Sequence, residues 1–235
     1  LEEISELKQK VVVFNMKNGD TFTIELFPED APNHVQKFLK LVESGYYDGM
    51  VFHRIIPGFM IQTGDPNTKD PEIDQSLWGQ GGPGYLMREE FNTLQHDRGI
   101  VSMARGNNPD SAGSQFFIVT KDSPHLDGQY TAFGRLIPGM PQVLDHIESL
   151  KTDSNNAPLD LLQATIKTAE ILEPYAHSGL VAPDRNQSIT KLVQHPTGKS
   201  NVYHNSLHNI TFDIPYRWST TEATGKQFGV ILEPD

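Results

Sequence analysis

The stretch Val51-Phe-His-Arg-Ile-Ile-Pro-Gly-Phe-Met-Ile-Gln-Thr-Gly-Asp65 constrains the fold more than any other part of the chain. It reads as a strand, a tight turn at Pro57-Gly58, and a second strand. Proline presets the φ needed at the turn, and glycine accepts the positive φ that other residues resist. Side chains alternate along a strand, so Phe52, Arg54 and Ile56 are expected on one face, with His53 and Ile55 on the other. Met60 and Gln62 share a face of the second strand. A guanidinium and a carboxamide thus sit among large apolar groups on neighbouring strands. An arginine in such a place is ordinarily an edge residue whose stem packs while its head stays wet.

Bulk properties narrow the possibilities. A chain of 235 residues suits one large domain, or one of about 165 residues with an appendage. Thirty acidic residues against 19 basic give a net charge of −11. That balance argues against nucleic acid as a partner, since phosphate binding needs concentrated Lys and Arg. It also disfavours anionic membrane surfaces. No apolar run reaches the roughly 18 residues that span a bilayer, so no membrane insertion is expected. With no cysteine, the chain has no disulfide, thiolate metal site or cysteine nucleophile. The sequence begins at Leu1 rather than methionine, consistent with an upstream segment, such as a signal or anchor, removed or not included. The compartment stays open.

In chain order, residues 1–10 suggest a short leader helix with Leu1, Ile4 and Leu7 on one stripe. Lys10–Met16 and Asp20–Leu26 read as strands joined through Asn18-Gly19, a strong hairpin signal. A helix follows, capped by Asp30, with Pro32 in its first turn and Val35, Phe38, Leu39 and Val42 inward; Gly45 stops it. A polar excursion to about Phe91 contains Gly79-Gln-Gly-Gly-Pro-Gly84, which matches a dinucleotide fingerprint only as a string. No strand precedes it, Pro83 interrupts it, and no helix pattern follows, so it reads as a surface loop. Asp65, Asn67 and Asp70 lack the spacing, glycine and terminal glutamate of a calcium loop, and no metal site is expected. Ile100–Ala104, Gln115–Val119 and Ala132–Leu136 are strands, Met140–Leu150 a helix with Val143, Ile147 and Leu150 inward, and Ile166–Glu173 an eighth strand.

After Pro174 the texture changes. Residues 174–190 read as a linker, and 191–235 as an extension or the truncated start of a second domain. Short strands are expected at Lys191–Gln194, Asn209–Ile214 and Phe228–Leu232. His204 and His208 have a helical metal spacing in surroundings that read as strand and loop, which disfavours ligation. Asn186-Gln-Ser188 and Asn209-Ile-Thr211 are glycosylation strings that matter only if the chain is exported.

The hairpin, with Gly113-Ser-Gln-Phe-Phe-Ile-Val-Thr120 and Leu126-Asp-Gly128, resembles the cyclophilin family of peptidyl-prolyl cis/trans isomerases over residues 11–173. The resemblance implies a mainly β fold: a closed, antiparallel, eight-stranded barrel capped by two helices. It implies an enzyme without cofactor that accelerates X-Pro rotation in polypeptide substrates and so assists folding. Arg54 would be the catalytic residue and Gln62 its orienting partner. Phe59, Met60, Phe117 and Leu126 would line a proline pocket, though each alone would read as ordinary core. Gln115 and the Ala104–Arg105 backbone would bind the substrate main chain.

Three substrate-site positions depart from the familiar pattern. His125 stands where tryptophan is usual, Tyr130 where histidine is usual, and Arg105 where asparagine is usual. The tryptophan is associated in the family with tight cyclosporin binding, so weak drug affinity is expected. Arg105 adds positive charge beside the pocket, which suggests a preference for Asp or Glu near the proline. A non-catalytic module that docks proline-containing segments is the competing reading. An intact Arg54, Phe59 and Gln62 favour the enzyme over that module. A general chaperone would need a broad exposed apolar patch, which a sequence does not display.

Overall fold

The computed structural model describes residues 4–7, 10–137 and 141–172, together with five strands between 190 and 234. Contacts divide the chain into two compact units, residues 1–177 and 178–235.

In the first unit, β1 (Val11–Met16) and β2 (Thr21–Leu26) form a hairpin with Phe14 opposite Phe22. Val12, Phe14 and Met16 are buried while the residues between them are half exposed, as period-two patterning requires. The helix α2 (Pro32–Glu43) buries Val35, Phe38, Leu39 and Val42, and also His34. Before α2 comes α1 (Ile4–Leu7), a single turn with Leu7 buried and Ile4 exposed.

The strands β3 (Arg54–Ile56), β4 (Met60–Thr63), β5 (Ile100–Met103), β6 (Phe116–Val119), β7 (Ala132–Leu136) and β8 (Ile166–Leu172) complete the sheet. Its order is β3-β4-β6-β5-β7-β2-β1-β8, every pair antiparallel. The end strands β3 and β8 share no ladder. They are joined by irregular backbone: a bridge pairs Val51 with Thr165, and the Phe52 N–H donates to the Ala164 carbonyl at 2.9 Å. The curled sheet therefore closes across a looser seam than a continuous barrel ladder. Two further helices are α3 (Pro141–Glu148) and the short α4 (Leu161–Ala164).

The core inside the curl is aromatic. Phe14 stacks on Phe22 at 4.9 Å, and Phe38 meets Phe116 edge-on at 5.5 Å. A second, smaller cluster lies apart from it: Met60, Phe117, Val119 and Leu126, with Phe59, Ala104 and Tyr130 packed against them. Strand β6 separates the two. Phe116 and Ile118 enter the main core while Phe117 and Val119 join the second cluster, so all four residues are buried.

Several expectations change. Asp30 does not cap α2. Ala31 holds the cap position without a side-chain bond, and Glu90 reaches in from a distant loop to accept from the N–H groups of Asn33 (3.1 Å) and His34 (2.9 Å). Phe52 does not share a face with Arg54, because β3 starts only at Arg54; Phe52 turns into the core against Phe22. The helix α3 ends at Glu148, short of Leu150; Leu144 joins Ile147 as a buried residue in it, while Val143 and, beyond its end, Leu150 pack at the margin.

The second unit holds β9 (Thr190–Gln194), β10 (Ser200–Asn205), β11 (Ile210–Pro215), β12 (Trp218–Glu222) and β13 (Val230–Pro234). They form a three-stranded sheet, β11-β10-β9, and a β12-β13 hairpin. Strands β10 and β12 were not expected from the sequence. His204 lies on β10, so a helical spacing to His208 does not apply. The linker segment 174–189, His208, Glu173, Met140, Leu1 and the glycosylation acceptors Asn186 and Asn209 lie outside the described residues. No helix among the described residues is long and apolar enough to cross a membrane.

Candidate active site

The second apolar cluster forms one wall of a cavity of about 610 Å³. Arg54, Phe59, Met60, Gln62, Phe117 and Leu126 all line it. Ala104, Arg105 and Tyr130 complete that side. A second cavity of about 530 Å³ shares Gln62, Gly79, Ala104 and Arg105 with the first, and adds Gln115 and the rest of the glycine-rich segment, residues 80–84. That segment is irregular backbone, not the turn of a βαβ unit.

Arg54 is fixed by a relay of side chains. The three-residue turn Pro57-Gly58-Phe59 between β3 and β4, with Gly58 at φ +73°, pairs Arg54 directly with Gln62. The Arg54 Nη1 donates to Gln62 Oε1 at 3.3 Å, and Gln62 Nε2 donates to Gln115 Oε1 at 2.9 Å. Gln115 Nε2 in turn donates to the carbonyls of Gly79 (3.0 Å) and Gly81 (2.8 Å). Those glycines are anchored by Asp65, whose fully buried carboxylate accepts from the N–H groups of Asn67 (2.8 Å), Gly79 and Gly81 (3.2 Å). Gly64, at φ +93°, lets this turn lie against Ser114 and Gln115; a Cβ there would come within 2.8 Å of the Gln115 Cα. Only one N–H of the Arg54 fork goes to Gln62. The side chain lines the cavity and is exposed, which leaves the other donors of the fork accessible.

The apolar wall has its own brace. Phe117 meets Tyr130 edge-on at 5.6 Å and stacks on His96 at 6.2 Å. His96 Nδ1 lies 3.0 Å from Asp127 Oδ1, and its Nε2 lies 3.0 Å from Ser102 Oγ. A serine, histidine and carboxylate so linked have the connectivity of a hydrolase triad. Ser102, however, is wholly buried in β5 and offers a substrate no approach. The trio supports Phe117 from behind. Burial lowers the His96 pKa, with Asp127 opposing the shift.

His125 is not among the residues that line the cavity, but its ring lies 5.5 Å from that of Phe59, which does line it. Tyr130 is held by Arg105, whose guanidinium lies 4.6 Å from the tyrosine ring centre. Arg105 Nε and Nη2 donate to the Gln129 carbonyl at 3.1 and 3.0 Å, and Nη1 donates to the Gly106 carbonyl at 2.8 Å.

Sequence reasoning missed Asp65 as a positioning group, and did not bring His53, Trp78 or Asn155 to the cavity. His53 is buried with neither ring nitrogen partnered, and burial lowers its pKa to about 4 against the pull of Asp65. It is a neutral group at pH 7. Irregular backbone at residues 52–53, which no strand pattern foretells, turns this ring into the site.

The family profile described as cyclophilin type peptidyl-prolyl cis-trans isomerase/CLD matches residues 11–171, which span the sheet and the whole cavity. The chain belongs to the cyclophilin family. It is 43% identical over 165 residues to a probable peptidyl-prolyl cis-trans isomerase of Brucella suis, covering 68% of this chain and 83% of that protein. It is 46% identical over 150 residues to peptidyl-prolyl cis-trans isomerase 10 of Caenorhabditis elegans, covering 63% and 88%. A crystal structure of a Cryptosporidium parvum cyclophilin in the presence of the dipeptide Ala-Pro superposes with a TM-score of 0.60 at 36% identity, covering 69% of this chain and 98% of that one. This cyclophilin is thus an isomerase of X-Pro peptide bonds, and its curled eight-stranded sheet is that family's. The matched region stops before the second unit's strands.

Proposed function

We propose that X-Pro rotation takes place in the cavity of about 610 Å³, with Arg54 as the catalytic residue. The X-Pro bond prefers trans by only about 0.5–1 kcal/mol, yet interconverts over tens of seconds because amide resonance must be broken. No covalent bond forms or breaks, so no nucleophile or tuned proton donor is required. The site needs to hold the proline ring, grip one side of the bond and stabilise the twisted amide. Met60, Phe117 and Leu126 supply an apolar seat for the ring, and all three side chains are nearly buried. Phe59, leaning on His125, closes its rim.

Arg54 donates N–H bonds to the pyramidalising prolyl nitrogen or the prolyl carbonyl. Each charge-assisted bond is worth roughly 1.5–3 kcal/mol. Lowering the barrier by about 5 kcal/mol accelerates the step several thousand-fold, at one decade per 1.36 kcal/mol. Gln62 orients the guanidinium. Gln115 and the Ala104–Arg105 backbone bind the substrate main chain, and Tyr130 serves as a wall in place of a histidine. The substrates are proline-containing polypeptides. The single observation that carries this reading is a guanidinium held by the Gln62–Gln115 relay in the lining of an apolar cavity.

The test is catalysis of an X-Pro reporter peptide by the wild type and Arg54→Lys. Lysine keeps the charge but not the fork, so kcat/KM should fall at least tenfold; undiminished turnover would remove the guanidinium from the mechanism. Cyclosporin should bind weakly, because His125 offers a smaller ring than tryptophan beside Phe59.

A further inference from the structure

The two cavities are lined by Arg54, Arg105 and a buried neutral histidine, and by no carboxylate. That is a marked local departure in a chain of net charge −11. Arg105 forms part of the wall common to both cavities. Among the described residues no carboxylate pairs with Arg105 or Arg54, whereas Arg98 has two and Arg135 has one.

Arg105 is also held in place. Its three bonds to the Gln129 and Gly106 carbonyls, and the Tyr130 and Phe91 rings at 4.6 and 5.8 Å, fix the guanidinium plane. Neutral carbonyls use donors without cancelling charge, and two of its five N–H groups are left over for a ligand. A fixed, uncompensated cation loses little side-chain freedom when an anion arrives. The neighbouring cavity is walled by Gly79, Gly81, Gly82, Gly84 and Gly106, so it is open to a side chain and offers no charge besides Arg105.

We infer that Arg105 selects substrates carrying a carboxylate side chain, Asp or Glu, on a residue flanking the proline, with that side chain held against the guanidinium beside the wall the two cavities share. This rests on the isomerase reading of the groove.

The experiment measures kcat/KM for three otherwise identical X-Pro peptides bearing Glu, Ala or Lys beside the proline. The full chain is compared with Arg105→Gln and Arg105→Lys. Wild type should favour Glu over Lys by about five- to tenfold, the scale of an ion pair gained at one end of the series and a like-charge contact at the other. The ratio should shrink toward one in about 1 M salt, where screening acts over roughly 3 Å. Arg105→Lys should keep the order and Arg105→Gln should abolish it. Because the readout is a ratio between peptides, a general loss of activity in a variant does not imitate it, and the wild-type series stands even if a variant misfolds. Equal wild-type turnover of the three peptides, or a ratio that survives in Arg105→Gln, would overturn the inference while leaving the isomerase intact. Failure to accelerate any of the three would instead overturn the isomerase reading on which it rests.

Discussion

Asp65 is the group farthest from the substrate on which the geometry of Arg54 depends, and Asp65→Asn tests that dependence. The substitution is nearly isosteric but replaces one oxygen with an N–H₂ group. In the native site one carboxylate oxygen accepts from the Asn67 N–H, and the other from both the Gly79 and Gly81 N–H groups. If the new amide oxygen faces the glycines, one charge-assisted bond is lost at roughly 1.5–3 kcal/mol, and a buried donor meets the Asn67 donor. If it faces Asn67, two such bonds are lost. The cheaper arrangement therefore costs about 2–4 kcal/mol, a large share of an ordinary domain's stability. The relay carries the effect onward: a displaced Gly79–Gly81 segment withdraws both carbonyls that hold Gln115, hence Gln62, hence Arg54. Urea unfolding should show the midpoint falling with little change in slope. Isomerisation of a reporter peptide by the folded variant should show kcat reduced more than KM, because the apolar seat is untouched. A variant within 0.5 kcal/mol of wild type with unchanged kcat would refute the relay.

Other consequences are more local. Glu90→Gln should cost about 1–2 kcal/mol, because its carboxylate takes two backbone N–H groups of α2 and the side chains of Asn33 and His34. Burial raises the Glu90 pKa, but those bonds outweigh it and hold it at about 2 against 4.5 in a free chain. Its contribution is therefore complete above pH 4.5 and lost as pH falls toward 2, and the variant should lack that acid-limb slope in chemical denaturation. His53 acts in a higher window. Its folded pKa of about 4 lies below the unfolded 6.5, so the unfolded chain takes the proton first and stability falls as pH drops between those values. The ceiling is roughly 3 kcal/mol, and His53→Gln should flatten that part of the curve; an unchanged slope would mean the ring is not kept neutral by burial. His125→Trp should tighten cyclosporin binding at least tenfold by calorimetry, with no gain in affinity counting against a binding role for the position beside Phe59.

What the sequence made legible was whatever depended on local pattern. β-rich runs joined at Asn18-Gly19 foretold β1, β2 and their hairpin, and Pro57-Gly58 foretold the turn between the strands that carry Arg54 and Gln62; their direct pairing came from the structure, because Phe59 joins the turn and sets the register. The residues placed in the pocket by family resemblance line the two cavities, apart from His125, which lines neither and lies against Phe59. What stayed hidden required two distant segments. Asp65 looked like a loop residue, and only the return of residues 79–81 makes it a buried anchor. Glu90 replaced Asp30 as the cap of α2 by reaching back over more than fifty residues, which no helix-start signal encodes. The charge preference suggested by Arg105 gained a physical basis only when both cavities proved free of carboxylates. In the second unit, β10 and β12 carry too few large apolar residues to announce themselves as strands.

The measurement that bears most directly on the whole account is cis-to-trans isomerisation of a short X-Pro reporter by wild type and Arg54→Ala, each first verified as folded by circular dichroism. The account predicts rapid catalysis by wild type and a loss of about a hundredfold or more in the variant, the scale of one or two charge-assisted bonds made in the transition state. Arg54→Ala turning over within a factor of two of wild type would contradict it.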